Sequence, residues 1–259
     1  MTATSCVSTL RRIRNLITEC SNSGHTDMHF AIIAAGKGER LAAGGATLPK
    51  PLVNLGGMPM IERLVRMFME CGARDVSVII NPLQAETVCF MRGLQRKLPV
   101  NLVIRETPSP MHSLLELAPY IEGEPFCATT VDTVFSRESL TAVIRMMQEG
   151  RADGIMGVTD YVSDEKPLFV NVDADMHIRG FLDSSDECRY VSAGVYCLPS
   201  SAIGVLAGAV QSGEKRMRHF QRMLLESGMR LDACDMGRVI DVDCMGDLEE
   251  AQRFVNSGI

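Results

Sequence analysis

From His29 onward, short apolar runs alternate with longer segments whose apolar residues recur every three or four positions. That alternation predicts strands of a parallel sheet joined by crossover helices. The runs fall at Phe30 to Ala35, Val76 to Ile80, Leu102 to Ile104 and Phe126 to Thr130. Between them, Met60 to Met69 sets Ile61, Leu64, Val65 and Phe68 on one face, and Leu83 to Leu94 and Leu140 to Met147 predict two further helices. After Gly154 the texture shifts to strands joined by polar turns: Gly154 to Thr159, Leu168 to Val172, His177 to Leu182 and Tyr190 to Leu198. Asp173-Ala174-Asp175 reads as a hairpin turn between two of them. Helices return at Ser201 to Val210, Met217 to Glu226 and Leu248 to Val255. The expected fold is a three-layer α/β sandwich.

Residues 1 to 27 form an extension of different character, helical or poorly ordered. A Ser/Thr-rich start leads to Leu10, Ile13, Leu16 and Ile17 at helical spacing, with Arg11, Arg12 and Arg14 between them. A docked or frayed terminal helix, a partner-binding helix and sequence upstream of a true start at Met28 all fit this pattern.

With 259 residues, 46% of them hydrophobic, residues 28 to 259 can bury a sizeable core as one domain. The formal net charge of -6 argues against nucleic acid or an anionic membrane as partner, because both select basic surfaces. Nine cysteines, an odd number without a Cys-x-x-Cys pair, suggest free thiols in a reducing cytoplasm rather than a disulfide framework or zinc site. The longest apolar stretch, about Ala202 to Val210, is roughly half of what a membrane span needs. No apolar signal region follows the N-terminal arginines.

The first strand runs into Ala34-Ala35-Gly36-Lys37-Gly38-Glu39-Arg40-Leu41, and a Gly/Ala-rich stretch then leads to Leu48-Pro49-Lys50-Pro51-Leu52. Glycines directly after a strand let the backbone approach a ligand and turn its amides toward an anion. The dinucleotide fingerprint is excluded because Leu41 stands where its third glycine belongs, and the Walker loop because Gly-Lys-Ser/Thr is missing. Taken alone, Gly-x-Gly after a strand also describes a plain tight turn. Arg40 and Lys50 change the picture, since arginine can grip phosphate with two parallel bonds and lysine supplies a point charge. Gly44-Gly45 predict a loop that stays mobile until a ligand orders it.

Ala34-Ala35-Gly36-x-Gly38-x-Arg40-Leu41, then Pro49-Lys50-Pro51-Leu52, then Gly56-Gly57-Met58-Pro59-Met60-Ile61 together resemble the signature of the sugar-phosphate nucleotidylyltransferases. The resemblance is dense over about forty residues from Phe30. It implies a Rossmann-like sandwich of the nucleotide-diphospho-sugar transferase type, with a mostly parallel mixed sheet. Residues 28–150 would be the nucleotide-binding half, and residues 151–259 the acceptor-binding half with the C-terminal helices. The implied activity is transfer of a nucleoside monophosphate from a triphosphate to a sugar 1-phosphate or similar phosphorylated acceptor, with release of pyrophosphate. Arg40 and Lys50 take the catalytic roles and residues 34–38 (Ala34, Ala35, Gly36, Lys37, Gly38) bind the nucleotide.

In that family, an aspartate at the end of a central strand and an acidic residue near the C-terminus hold Mg2+. Asp132, at the end of Phe126-Cys127-Ala128-Thr129-Thr130-Val131, resembles the first. Within Val239-Ile240-Asp241-Val242-Asp243-Cys244-Met245-Gly246-Asp247, Asp241 and Asp243 alternate onto one face of an extended chain and can share a cation. Asp241 is the first choice for the second ligand; the competing assignment gives the metal to Asp243 with Asp241 behind it and leaves Asp247 to cap the last helix.

The family's base-reading segment corresponds to Thr107-Pro108-Ser109-Pro110-Met111-His112-Ser113-Leu114. There Ser109, His112 and Ser113 either contact base or ribose or form an ordinary loop and helix cap. Ser192-Ala193-Gly194 resembles the sugar-contact Asn-Ala-Gly, with Ser192 for asparagine and with Gly194 retained. The family's Glu-Lys pair is missing from Gly180-Phe181-Leu182-Asp183-Ser184-Ser185, which leaves room for a non-sugar acceptor such as phosphocholine. A third reading is a non-catalytic nucleotide-sugar sensor of the same fold, as a monomer or homodimer. No hexapeptide repeat follows the last helix, which argues against a second acyltransferase activity.

Overall fold

The computed structural model describes residues 26–162 and 166–257, so the proposed extension lies outside the described residues except for Thr26 and Asp27. Strand β1 (His29–Ala34) sends Phe30, Ile32 and Ala34 into one apolar core and Ala31 and Ile33 into another. A strand covered on both faces has no polar alternation, which is why it reads as an unbroken apolar run. A short helix α1 (Glu39–Ala43) follows, then a two-residue-stranded hairpin, β2 (Asn54–Leu55) with β3 (Met58–Pro59). Helix α2 (Met60–Glu70) buries Ile61, Leu64, Val65 and Phe68 and keeps the Glu62–Arg66 ion pair at the surface.

Strand β4 (Val76–Ile80), helix α3 (Ala85–Gln95), strand β5 (Val100–Ile104), helix α4 (Pro110–Glu116) and strand β6 (Phe126–Thr130) complete a parallel half-sheet of order β5-β4-β1-β6. Strand β5 is longer than the apolar run at 102–104 predicts, because Asn101 interrupts the pattern while donating to Asp75 at 2.7 Å. Beyond β6 come β7 (Thr133–Val134), helix α5 (Arg137–Glu149) and β8 (Gly154–Thr159). Helix α5 is bounded by Ser136, which accepts from the Ser139 amide, and by Gly150 in the left-handed conformation.

The second half is antiparallel at its centre. Strands β9 (Phe169–Val172) and β10 (Ile178–Leu182) form the predicted hairpin, and β11 (Tyr190–Leu198) pairs with β6, β8 and β9. Helices α6 (Ala202–Gln211) and α7 (Met217–Glu226) precede β12 (Leu231–Asp235), which runs parallel to β8. The pattern does not predict β12: its Leu-Asp-Ala-Cys-Asp sequence mixes acids into the run, and Asp232 is buried by pairing with His177 at 2.6 Å. The result is a nine-stranded mixed sheet between helical layers.

A third, smaller core fixes the ligand-facing side. Strand β13 (Ile240–Asp241) pairs antiparallel with β7 and leads into helix α8 (Met245–Asn256). Leu41 of α1, Val53, Met60, Val134, Ile240, Val242, Ala251 and Phe254 pack together here. Chain segments about 200 residues apart thereby become neighbours. The glycine-rich stretch expected to be a mobile loop is thus partly helical, because burying Leu41 anchors it.

Candidate active site

Three adjoining cavities open at the carboxyl end of β1 and β6, where open α/β sheets bind ligands. One of about 410 Å³ is lined by Ala34, Gly36, Lys37, Gly38, Arg40, Lys50, Asp132 and Asp243. A second of about 260 Å³ takes Ala35, Ser109 and Ser113, and a third of about 590 Å³ takes Ser192, Gly194 and Asp241.

The glycine loop is held from behind by two side-chain amides. Asn81, buried at the end of β4, donates to the Ala35 carbonyl at 3.1 Å, and Gln84 donates to the Gly36 carbonyl at 3.1 Å. Gly38 sits at φ +69°, and a Cβ there would lie 2.9 Å from the Lys50 Cβ, so both backbone and space require glycine. Gly36 has open space where a Cβ would project, which leaves room for a ligand to approach its backbone.

Lys50 is the hub of the charged groups. Its Nζ lies 2.6 Å from Asp132 Oδ2 and 2.8 Å from Asp243 Oδ1, while Arg40 Nη2 lies 2.6 Å from Asp243 Oδ2. The Lys50 side chain is only 10% exposed, and those of Asp132 and Asp243 are 20% and 23% exposed. Burial alone pulls the Lys50 pKa down, but the charges and hydrogen bonds of the two aspartates outweigh it and the net shift is upward. Lys50 therefore stays cationic at any physiological pH.

The β7–β13 pairing sets this geometry: Asp241 stands opposite Thr133, and the Val242 amide donates to the Asp132 carbonyl at 3.0 Å. Asp247 accepts from the Asp243 and Cys244 amides at 3.0 and 2.8 Å, capping α8 as expected and fixing the backbone of Asp243. Asp132 Oδ1 is buried and takes part in no hydrogen bond among the described residues. A buried carboxylate oxygen in that condition is costly unless a cation or donor arrives. Asp132 and Asp243 meet at the Lys50 ammonium, whereas Asp241 lines the neighbouring cavity; carboxylate oxygens are hard donors of the kind a small divalent ion takes.

Ser109 bonds His112 Nδ1 at 2.8 Å, and Ser113 bonds Thr107 at 2.6 Å. Ser109 and Ser113 face the 260 Å³ cavity, whereas His112 is absent from its lining and braces Ser109. The 590 Å³ cavity adds groups that sequence reasoning missed: Tyr161, Tyr196, Lys215, Arg216 and Gln221. Packing α7 against β11 brings Lys215, Arg216 and Gln221 to Ser192, and no local motif signals that. Lys215 and Arg216 have no ion-pair partner within 4.0 Å among the described residues.

A parallel half-sheet, a glycine loop at its carboxyl edge, two cations and facing carboxylates stand beside a second cavity, an arrangement whose chemistry suits a polyphosphate next to another ligand. The chain belongs to the MobA-like NTP transferase domain family, whose profile matches residues 30–224. It is 27% identical over 250 residues to the bifunctional IPC transferase and DIPP synthase of Rubrobacter xylanophilus, covering 90% of this chain and 53% of the relative. This chain therefore spans about half the length of that relative. It is 25% identical to the UTP–glucose-1-phosphate uridylyltransferase of Haloferax volcanii, covering 87% of this chain and 96% of the relative. Among solved structures, the inositol-1-phosphate CTP transferase from T. maritima superposes with a TM-score of 0.73 at 19% identity, covering 91% of this chain and 99% of that one, and establishes the fold. No helix among the described residues is long and apolar enough to cross a membrane.

Proposed function

We propose that this protein transfers a nucleoside monophosphate from a nucleoside triphosphate to a sugar 1-phosphate or similar small phosphorylated acceptor, releasing pyrophosphate, with Mg2+ as the cofactor. The observation that carries this reading is the contact of Lys50 with both Asp132 and Asp243 at the mouth of the glycine loop, beside a second cavity. The triphosphate lies along Gly36 to Gly38 with its base toward Ser109 and Ser113. The acceptor occupies the cavity lined by Ser192 and Gly194, with Lys215 and Arg216 supplying positive charge for its phosphate.

An acceptor phosphate oxygen attacks the α-phosphorus, and the bond from that phosphorus to the α–β bridging oxygen breaks. The electron pair leaves with pyrophosphate. A phosphate monoester has a second pKa of about 6 and is already largely ionised at neutral pH, so no general base is needed. This accounts for a site of cations and carboxylates without a histidine on the reacting atoms. Arg40, Lys50 and the loop amides neutralise charge on the leaving group. Asp132, with Asp241 and Asp243, would hold the Mg2+, which supplies Lewis-acid charge neutralisation when bound. The buried oxygen of Asp132 supports that assignment.

The test is pyrophosphate release across four ribonucleoside triphosphates and a panel of phosphorylated acceptors, with and without Mg2+. Release is expected only with all three components, and Asp132→Asn and Lys50→Ala should each abolish it. Release independent of acceptor, or an Asp132→Asn protein of full activity, would overturn the reading.

A further inference from the structure

The floor of the 590 Å³ cavity carries a polar cluster that the transfer chemistry does not use. Ser192 Oγ donates to Gln221 Oε1 at 3.1 Å, and Gln221 Nε2 donates to the Tyr196 hydroxyl at 3.3 Å. Gln221 is 3% exposed and lines the cavity. A primary amide has two donors and two acceptor sites, and one of each is used inside the cluster. One N–H and one lone pair remain on a group that is almost wholly buried, and the cavity is the space beside them. A surplus donor next to a surplus acceptor matches a hydroxyl group, which gives one hydrogen bond and takes another.

Among its described lining residues, the same cavity offers little to a cationic head group. Asp241 is the one carboxylate among its described lining residues, and it belongs with the metal ligands. Tyr161, the aromatic side chain nearest the rim, already holds the Arg238 guanidinium 4.8 Å from its ring centroid, and its hydroxyl is bonded to Glu250. A quaternary ammonium selects open aromatic faces or spare carboxylates. Lys215 and Arg216 add positive charge at the rim.

We infer that Gln221, held by Ser192 and Tyr196, is a specificity-determining residue that reads a hydroxyl of the acceptor, so the acceptor is an uncharged polyhydroxylated body bearing one phosphate and not a phosphorylated amino alcohol. The inference rests on the transferase reading and narrows its acceptor. Its β-strand platform is shaped for the purpose: Gly194, at φ +71°, lies within the register shift of β11 between Ser192 and Tyr196.

The experiment measures kcat and KM for sugar 1-phosphates, a cyclitol 1-phosphate, their monodeoxy analogues and phosphocholine, at saturating triphosphate. Unmutated protein is expected to prefer a hydroxylated acceptor over phosphocholine by more than about 100-fold in kcat/KM, and one monodeoxy analogue should lose about 10- to 100-fold. Gln221→Met, similar in size, should lose the same factor for the parent acceptor, chiefly in KM, and become indifferent to that one deoxygenation. A purely structural role would instead lower activity with every acceptor alike. Should Gln221→Met melt early, Tyr196→Phe gives the same comparison with the ring kept in the core. Preference for phosphocholine, or a Gln221→Met protein that still discriminates the deoxy analogue, overturns the inference alone. Failure of every acceptor to release pyrophosphate overturns the transferase reading beneath it.

Discussion

Replacing Lys50 with methionine is expected to destroy transfer while tightening divalent-metal binding to the free protein. The Lys50 ammonium bridges Asp132 and Asp243 at 2.6 and 2.8 Å, so it serves as the internal counter-ion of the carboxylates that would bind the metal. Hydrogen bonds to charged groups contribute about 1.5–3 kcal/mol each, so an incoming ion competes with roughly 3 kcal/mol or more. Removing that competitor corresponds to a gain of about 100-fold in metal affinity. The substitution also leaves two largely buried carboxylates facing each other, with only Arg40 still paired to Asp243. Loss of a buried partner costs about 3–5 kcal/mol, and the residual exposure here brings that to roughly 2–4 kcal/mol. For a chain of this size the melting temperature should fall by roughly 5–15 °C and recover when metal is added in large excess over its Kd. Calorimetry and Mn2+ titration of nucleotide-free protein measure both effects, with Lys50→Arg as the charge-preserving control. Equal metal affinity in the Lys50→Met and unmutated proteins, with no metal-dependent recovery of the melting temperature, would refute the counter-ion role.

Gly38→Ala forces an unfavourable left-handed backbone at a cost of about 1–2 kcal/mol and pushes on Lys50, so both melting temperature and turnover should drop. Gly36→Ala meets no protein atom and should leave the melting temperature unchanged while weakening triphosphate binding, which calorimetric titration would show. Asp247→Ala removes the acceptor of the Asp243 and Cys244 amides; a loss of about 1 kcal/mol, or 2–4 °C, is expected with a parallel fall in pyrophosphate release. Burial, partly opposed by a Ser192 hydrogen bond, pushes the Tyr196 phenol up to about 12. Its unfolded value is near 10, so the folded state binds more protons between those values, and about 2–3 kcal/mol of stability present below pH 10 is lost as pH rises toward 12. In denaturant titrations across that range, Tyr196→Phe should show a shallower decline.

The parallel half of the fold was legible because buried strands need unbroken apolar runs, and β1, β4 and β6 supply them. Strand β12 was hidden because its acids are neutralised from outside the strand, Asp232 by His177, and periodicity carries no record of a distant partner. The residues of the glycine-loop cavity were readable for a related reason: Gly36, Gly38, Arg40 and Lys50 lie close together in sequence, so spacing reports geometry. The acid pair was half legible. Alternation places Asp241 and Asp243 on one face, yet the fold directs Asp243 to Lys50 and Asp241 to the neighbouring cavity. That division comes from the pairing of β13 with β7 and from the Asp247 cap, both tertiary. The 590 Å³ cavity was least legible because Ser192, Lys215, Arg216 and Gln221 meet only when α7 docks on β11.

The small core shared by Leu41, Val134, Ile240 and Phe254 sets a timetable for a chain emerging from a ribosome. Lys50 must wait for 193 more residues before Asp243 can reach it. The parallel half-sheet can pair its strands long before that, so a nascent chain would own the glycine loop without the tail carboxylates that face it. The cluster of Lys50, Asp132 and Asp243 therefore assembles in one late event, the seating of β13 and α8 against a scaffold already in place.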